Sequence, residues 1–455
     1  MIKLKVKDIV EVTGGKLLSG DENTKIAGIC INSRLLEKGN LFVPLIGERV
    51  DGHIFIENVL ENGAAATLTS RHCDVVISDK PYIQVSDTKK ALQDIGAYIR
   101  SKFNIPIIGV TGSVGKTTTR EMIATALSGT KNVYQTIENY NSQVGVPVTL
   151  SMMGEDTEVA VLEMGMSEVG EMEVLSRINK PDICVITTIG VAHIEHLGTK
   201  ENIRNEKLKI TSHMNKDGVL FLNGDDPMLA EIKDNTGVRT FLFGVGENCE
   251  YRAENIRQVN YQYQYDYVHG DKRVPVTLNA LGKHNVGNSL VGMAIADYLG
   301  YDLIKSAKMY EKFKGIRQKL IVIPNKYTII DDTYNASPDS MKASINVLED
   351  LASDGKKIAV LGDMFELGSR SEEFHRGVGD FLADKKIDEL VVVGEMSQYI
   401  KQAVEEKESK IKCYSFKDNG EVALYLMSVM NPEDVVLIKG SNGMHMNEIV
   451  SNLCG

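Results

Sequence analysis

The stretch that most narrows what this chain can fold into is PIIGVTGSVGKTTTREM, Pro106 to Met122. An apolar run leads into a turn with glycines at 109, 112 and 115, and Lys116-Thr117 then opens a helical pattern. A strand entering a helix through such a turn presents backbone N–H groups to phosphate oxygens. Lys116 can neutralise charge on the terminal phosphates, and the Thr117 hydroxyl can ligate Mg2+. Thr111, Ser113, Val114 and Thr118 complete the expected nucleotide-binding stretch. The spacing departs from the common GxxxxGK[ST] loop, because Val110 stands where the first glycine belongs.

Phosphoryl chemistry also needs a carboxylate at a neighbouring strand end to hold the metal. VAVLEMG supplies Glu163, and ICVITTIGVAHIEHLGT places His193 and Glu195 just past a second strand. Taken singly, Glu163 reads as a solvated acid and His193 as a structural histidine. Strand ends along one edge of an open parallel sheet converge on a single crevice, so the loop gives both a second meaning. Lys207, in NEKLKI on the next helix, is not separable from Lys209 by pattern alone.

Beyond the loop, 455 residues imply two to four domains, and 43% hydrophobic residues allow a sizeable core. A net charge of −11 disfavours a nucleic-acid backbone or an anionic membrane as main partner. Six cysteines without CxxC spacing suggest neither zinc nor a disulfide framework and fit a reducing cytoplasm. The start, MIKLKVKDIVEV, lacks the apolar run of a signal peptide, and no stretch approaches a membrane span. A soluble cytoplasmic monomer is expected.

Three α/β domains are predicted, over 1–85, 86–313 and 314–455. The first has short candidate strands in IAGICINS, NLFVPLIGE, AAATLTS and DVVIS. The second begins with the helical spacing of Leu92, Ile95, Ile99 and Phe103 behind the capping candidates Ser86 and Asp87, and continues as alternating strands and helices around a mostly parallel sheet. Near 250–280, alternating Tyr261, Tyr263, Tyr265 and Tyr267 predict an antiparallel hairpin whose aromatic face packs on a core. The third domain repeats the alternation from TIIDDTYN to DVVLIKGS, as a doubly wound Rossmann-like unit.

With these residues in place, the chain resembles the Mur ligases, the ATP-dependent amide-forming enzymes of peptidoglycan precursor synthesis. Their loop is GxxGxxGKT, which Gly109, Gly112, Gly115, Lys116 and Thr117 match, so Val110 is no defect. ENYNSQVGVP, LEMG, GKHNVGNSL, GIRQ and DDTYNASPDSM occur in family order, and DDTYNASPDSM with LGDMFELG resembles the branch that adds D-alanyl-D-alanine to UDP-N-acetylmuramoyl-tripeptide. The resemblance implies ATP and Mg2+, with Thr117, Glu163 and His193 as metal ligands and Lys207 at the position carbamylated in relatives. It makes Lys116, His193 and Lys207 catalytic, and assigns Asn285 and Asn288 to adenine, Arg317 to the ATP phosphates and Asp332 to the ribose. Alone, the two asparagines read as helix caps and the charged pair as surface ions. Asn335, Ser337, Asp339, Asp363, Met364, Glu366 and Leu367 would face the dipeptide. INSRLLEKGNLFVPLIGERVDGHIFI resembles the uridine-nucleotide domain, with Ser33, Arg34, Gly47 and Glu48 at the UDP-substrate and Asn32 where an aspartate is more usual. A ligase adding a single diamino acid and a non-catalytic nucleotide-binding scaffold remain as alternatives, whereas a folylpolyglutamate-type ligase would lack the first 85 residues.

Overall fold

Three large sheets, besides a two-stranded pairing of Leu4–Lys5 with Lys25–Ile26, divide the chain in a computed structural model that describes residues 4–71, 79–315 and 318–455. The first has five strands in the order Lys16–Ser19, Tyr82–Gln84, Ala66–Thr69, Asn40–Phe42 and Gly28–Cys30. All neighbours are parallel except the first pair. IAGICINS, NLFVPLIGE and AAATLTS each contain one of these strands, while DVVIS lies outside the described residues. Lys16–Ser19 and Tyr82–Gln84 were not anticipated, being too short for a two-residue period to show.

Asp87 caps the helix Thr88–Ser101 by accepting from the Lys90 N–H at 3.0 Å. Leu92, Ile95 and Ile99 turn inward as their spacing predicts. The helix delivers the chain to the strand Ile107–Thr111, five buried residues third from one edge of a nine-stranded sheet. Such a strand is covered on both faces, and each large aliphatic side chain it buries contributes about 1.5–3 kcal/mol. From here the chain passes to the edge strand Val133–Gln135, returns at Val159–Glu163 on one side of Ile107–Thr111, and crosses to Ile183–Ile186 on the other. This reversal opens a crevice at the carboxyl ends of the three strands, where ligands of doubly wound sheets bind.

At the far flank, Tyr251–Val259, Gln262–His269 and Lys272–Leu278 form a three-stranded antiparallel meander rather than a simple hairpin. Tyr263, Tyr265 and Tyr267 face the core, but Tyr261 sits in the turn and is 47% exposed. The Tyr265 and Tyr267 hydroxyls reach the helix His284–Tyr298, bonding Ser289 Oγ at 2.9 Å and Asp297 Oδ2 at 2.7 Å.

The third sheet runs Lys319–Ile323, Tyr327–Asp331, Asp434–Lys439, Lys357–Gly362, Glu389–Val393 and Lys412–Phe416. Its first pair is antiparallel and the rest parallel. The helix Pro338–Asp350 starts with the Ser337 side chain accepting from the Ser340 N–H and proline in its first turn.

Candidate active site

A cleft of about 870 Å3 opens where the carboxyl ends of the second and third sheets face each other. Ser113 to Thr118 form part of its wall. Gly109 and Val110 lie behind that wall, inside the strand Ile107–Thr111, and both are buried. The glycine missing from the common pattern is thus a core position, where Val110 packs and pairs in register with Glu163. Gly109 does not line the cleft, and a β-carbon there would stand 2.8 Å from Met164 Sδ, so the position also serves strand packing. Gly112 holds φ +154°, and a β-carbon would fall 1.9 Å from Thr187 Oγ1, so only glycine fits this turn. Thr111 and Gly112 are buried beneath the cleft surface.

The Gly112 carbonyl faces two lysines. It accepts from Lys116 Nζ at 2.8 Å and from Lys207 Nζ at 3.1 Å. Lys207 is 1% exposed. Burial, then the neighbouring Lys116 charge, push its ammonium well below the usual lysine range, against a smaller pull from Glu206. The oxygens of Glu206 are spent elsewhere, on the N–H groups of Gly170 and Met172 and on Lys209. Lys207 is thereby separated from Lys209, which is partly exposed and ion-paired.

Glu163 ends its strand beside the loop and is 2% exposed. Its Oε1 accepts from Asn141 Nδ2 at 2.7 Å, but its Oε2 is buried with no hydrogen-bond partner, as are Thr111 Oγ1 and Ser113 Oγ of the phosphate loop. Buried oxygens without partners cost free energy, and a cation with its bound water fits such a deficit. Among the described residues no three His, Cys, Asp or Glu side chains form a ready-made metal cage. Mg2+ takes one or two carboxylates and completes its shell with substrate phosphates and water.

His193 lines the cleft and holds a left-handed backbone, φ +63°. Its Nδ1 lies 2.7 Å from Glu366 Oε2 across the cleft, and Glu366 is itself left-handed at φ +62°. The His193 contact holds the Glu366 carboxyl below its ordinary range. Alongside, the Glu195 side chain covers Gly368, and Asp339 Oδ2 sits 2.3 Å from where a β-carbon on Gly190 would be. These contacts form a seam between the second and third sheets' domains.

A chain of hydrogen bonds leads from the loop along the other wall. Thr119 Oγ1 donates to Asn288 Oδ1 at 3.0 Å, Asn288 Nδ2 to Asn285 Oδ1 at 2.8 Å, and Asn285 Nδ2 to the Leu281 carbonyl at 2.6 Å. His284 lines the cleft with its side chain exposed there, and the protein packed around the ring pushes its imidazolium down to about 4. Asp332 opposes that shift and Lys439 adds to it. Tyr261 also lines this wall, a residue that sequence reasoning counted with its buried neighbours. Its place one residue past Asn260, a left-handed turn position, was the available signal.

The opposite wall carries Asp332, Asn335, Ser337, Glu366 and Leu367. Asp332 Oδ2 accepts from Lys439 Nζ at 2.7 Å, from Ser344 Oγ at 2.5 Å and from Gln318 Nε2 at 3.3 Å. Lys439 was not anticipated, although a lysine closing the apolar run DVVLIK before glycine was its sequence signal. Two dipeptide-side residues lie behind the cleft's lining. The Asp363 carboxylate takes the N–H groups of Glu395 and Ser397, capping the turn after Glu389–Val393, and Met364 is 2% exposed in the core. Neither lines the cleft, and Asp339 meets Gly190 at its margin. Arg317 lies outside the described residues.

Ser33, Arg34, Gly47 and Glu48 are remote from the cleft's lining, on the first domain. Asn32 Oδ1 accepts from the Arg34 N–H at 3.1 Å, so the amide supplies the capping oxygen that an aspartate would. Gly47 and Glu48 are exposed in the loop that Ile46 and Asp51 close.

Three family descriptions match: the Mur ligase family catalytic domain over residues 25–100, the Mur ligase middle domain over 110–296, and the Mur ligase glutamate ligase domain over 317–442. The UDP-N-acetylmuramoyl-tripeptide–D-alanyl-D-alanine ligase of Bacillus subtilis (strain 168) is 37% identical over all of this chain and 99% of its own. A crystal structure of MurF from Acinetobacter baumannii superposes with a TM-score of 0.90 at 30% identity, covering 100% of this chain and 99% of the other. MurF from Thermotoga maritima, solved in complex with ADP, gives 0.81 at 29% identity over 94% and 96% of the two chains.

Proposed function

The chain belongs to the Mur ligase family, and from that premise we propose that it joins D-alanyl-D-alanine to UDP-N-acetylmuramoyl-tripeptide in an ATP-dependent, ADP-forming reaction. The observation that carries this reading is the 37% identity to a ligase of that name along the entire chain.

A carboxylate is a poor acyl donor until one of its oxygens is made a leaving group. The terminal carboxylate oxygen of the tripeptide attacks the γ-phosphorus of ATP, the bond to the bridging oxygen of ADP breaks, and an acyl phosphate forms. The amine of D-alanyl-D-alanine then adds to the acyl carbon, loses a proton, and phosphate departs as the amide forms. Lys116 and the N–H groups around Gly115 offset charge on the transferring group. Asn285 and Asn288 hold the adenine end, Asp332 the ribose, and Arg317 the phosphates. The seam between His193 and Glu366 excludes water from the acyl phosphate.

Thr117, Glu163 and His193 would hold Mg2+, which supplies charge neutralisation and orientation when bound. Lys207 supports this as a carbamate: its neutral amine attacks CO2 and loses a proton, turning a buried base into an anionic oxygen donor. The unpartnered Glu163 oxygen and the depressed Lys207 ammonium support that assignment. Residues 1–85 take the uridine nucleotide through Ser33, Arg34, Gly47 and Glu48, residues 86–313 take ATP, and residues 314–455 present Asn335, Ser337, Glu366 and Leu367 to the dipeptide. The enzyme works as a cytoplasmic monomer; among the described residues no helix is long and apolar enough to cross a membrane.

The test is phosphate release with ATP, UDP-muramoyl-tripeptide and D-alanyl-D-alanine, each omitted in turn. Release should need all three. Release that lysine or diaminopimelate supports in place of the dipeptide, or that needs no acceptor, would overturn the assignment.

A further inference from the structure

Lys439 is 2% exposed and closes the strand Asp434–Lys439, in the middle of the third sheet. The parallel register pairs Asp331 with Ile438 on one side and Leu361 with Lys439 on the other. Asp332 therefore emerges beside Lys439 at the cleft edge. The Lys439 ammonium donates to Asp332 Oδ2 at 2.7 Å and to the Asn335 carbonyl at 3.0 Å. Ser344 Oγ and Gln318 Nε2 converge on that same Oδ2. Three donors crowd one carboxylate oxygen, and a carboxylate so held cannot rotate, because turning would break three bonds and leave a buried cation unpaired. Asp332 Oδ1 is the oxygen left to accept from a ligand.

We propose that Lys439 is a positioning residue: it locks the Asp332 carboxylate so that Oδ1 meets a ribose hydroxyl of ATP, and through the Asn335 carbonyl it fixes the turn that faces the dipeptide. One buried cation thus ties together two substrate sites that belong to separate halves of the reaction. The inference rests on the reading of Asp332 as the ribose contact. Lys439 acts through Asp332 and Asn335, so its effect appears in how the protein discriminates substrates.

The experiment compares ATP with 2′-deoxy-ATP and 3′-deoxy-ATP in the wild-type chain and in the variants Lys439→Met, Lys439→Arg and Ser344→Ala. In the wild type, loss of the hydroxyl that Asp332 accepts lowers kcat/KM about 10-fold or more. In K439M that penalty shrinks to about 2-fold or less, while KM rises for ATP and for the dipeptide and stays level for the UDP-substrate. K439R restores most of the penalty, and S344A, which leaves the ion pair intact, retains about half of it on a logarithmic scale. If K439M does not fold, S344A and K439R still decide the matter. A full penalty in K439M and S344A, or a KM rise shared equally by all three substrates, overturns the inference. A wild-type chain indifferent to both deoxy nucleotides instead removes Asp332 from the ribose, a failure of the underlying reading that is visible before any variant is made.

Discussion

Each wall of the cleft is built at the carboxyl end of a parallel sheet, and each has a lysine that is almost wholly buried. Their surroundings are opposite. Lys439 has a carboxylate at 2.7 Å. Lys207 has only a carbonyl, which it shares with a second lysine. A buried ammonium with a counterion is a fixed charge whose removal strands its partner, whereas one without a counterion gives up its proton and becomes a nucleophile. The same residue type is a paired charge on one wall and a charge disfavoured by burial on the other, and the nearest anion makes the difference.

The strongest way to break this contrast is to make both lysines apolar. Lys439→Met should cost about 3–5 kcal/mol of unfolding free energy, because Asp332 is left charged and buried. Lys207→Met should leave thermal stability level or raised, while kcat falls about a hundredfold or more. Calorimetry and phosphate release on the two proteins read both halves, and an equal loss of stability would erase the distinction. Next, depleting CO2 should lower wild-type activity several-fold, with bicarbonate restoring it, as a neutral Lys207 amine allows. Denaturation with and without bicarbonate, at equal ionic strength, separates that from a salt effect.

His284 sharpens the comparison on a smaller scale. Its folded-state pKa of about 4 lies below the ordinary imidazole value, so below pH 6.5 the unfolded chain takes up a proton that the folded chain refuses. Stability from this group, reduced by the solvent that reaches the exposed ring, is complete above pH 6.5 and drains away as pH falls toward 4. His284→Asn should flatten that part of the slope, measured as the difference between urea midpoints of the two proteins from pH 7 to 4.5. Smallest of all, Glu366→Gln should cost under about 1 kcal/mol of stability, since Glu366 is more than half exposed. Scattering in the presence of an ATP analogue and UDP-substrate would show whether the seam nonetheless governs compaction.

The phosphate loop, the parallel strands around it and the ordering of three α/β domains were legible in the sequence because each rests on local pattern: glycine spacing, apolar runs and helix caps. Glu163 was legible for the same reason, as an acid ending an apolar strand. What stayed hidden depends on partners far along the chain. Asp363 reads like a site residue until Glu395 and Ser397 are seen to claim both its oxygens. Lys439 gains its meaning only when the sheet order sets it beside Asp332, 107 residues away. Gly109 matches the family loop, yet it lies behind the cleft's lining, against Met164. Motif matching finds the right segment, and packing decides which atoms of it face the cleft.

The helices Lys116–Ser128 and His284–Tyr298 share one core with the buried tyrosines of the meander. Thr119 and Asn288 bridge them at the cleft, and Tyr265 bonds Ser289 behind it. The placement of Asn288 against the phosphate loop is therefore set by close-packed side chains, which resist both stretching and compression. It acts as a ruler cut to one length before any nucleotide arrives.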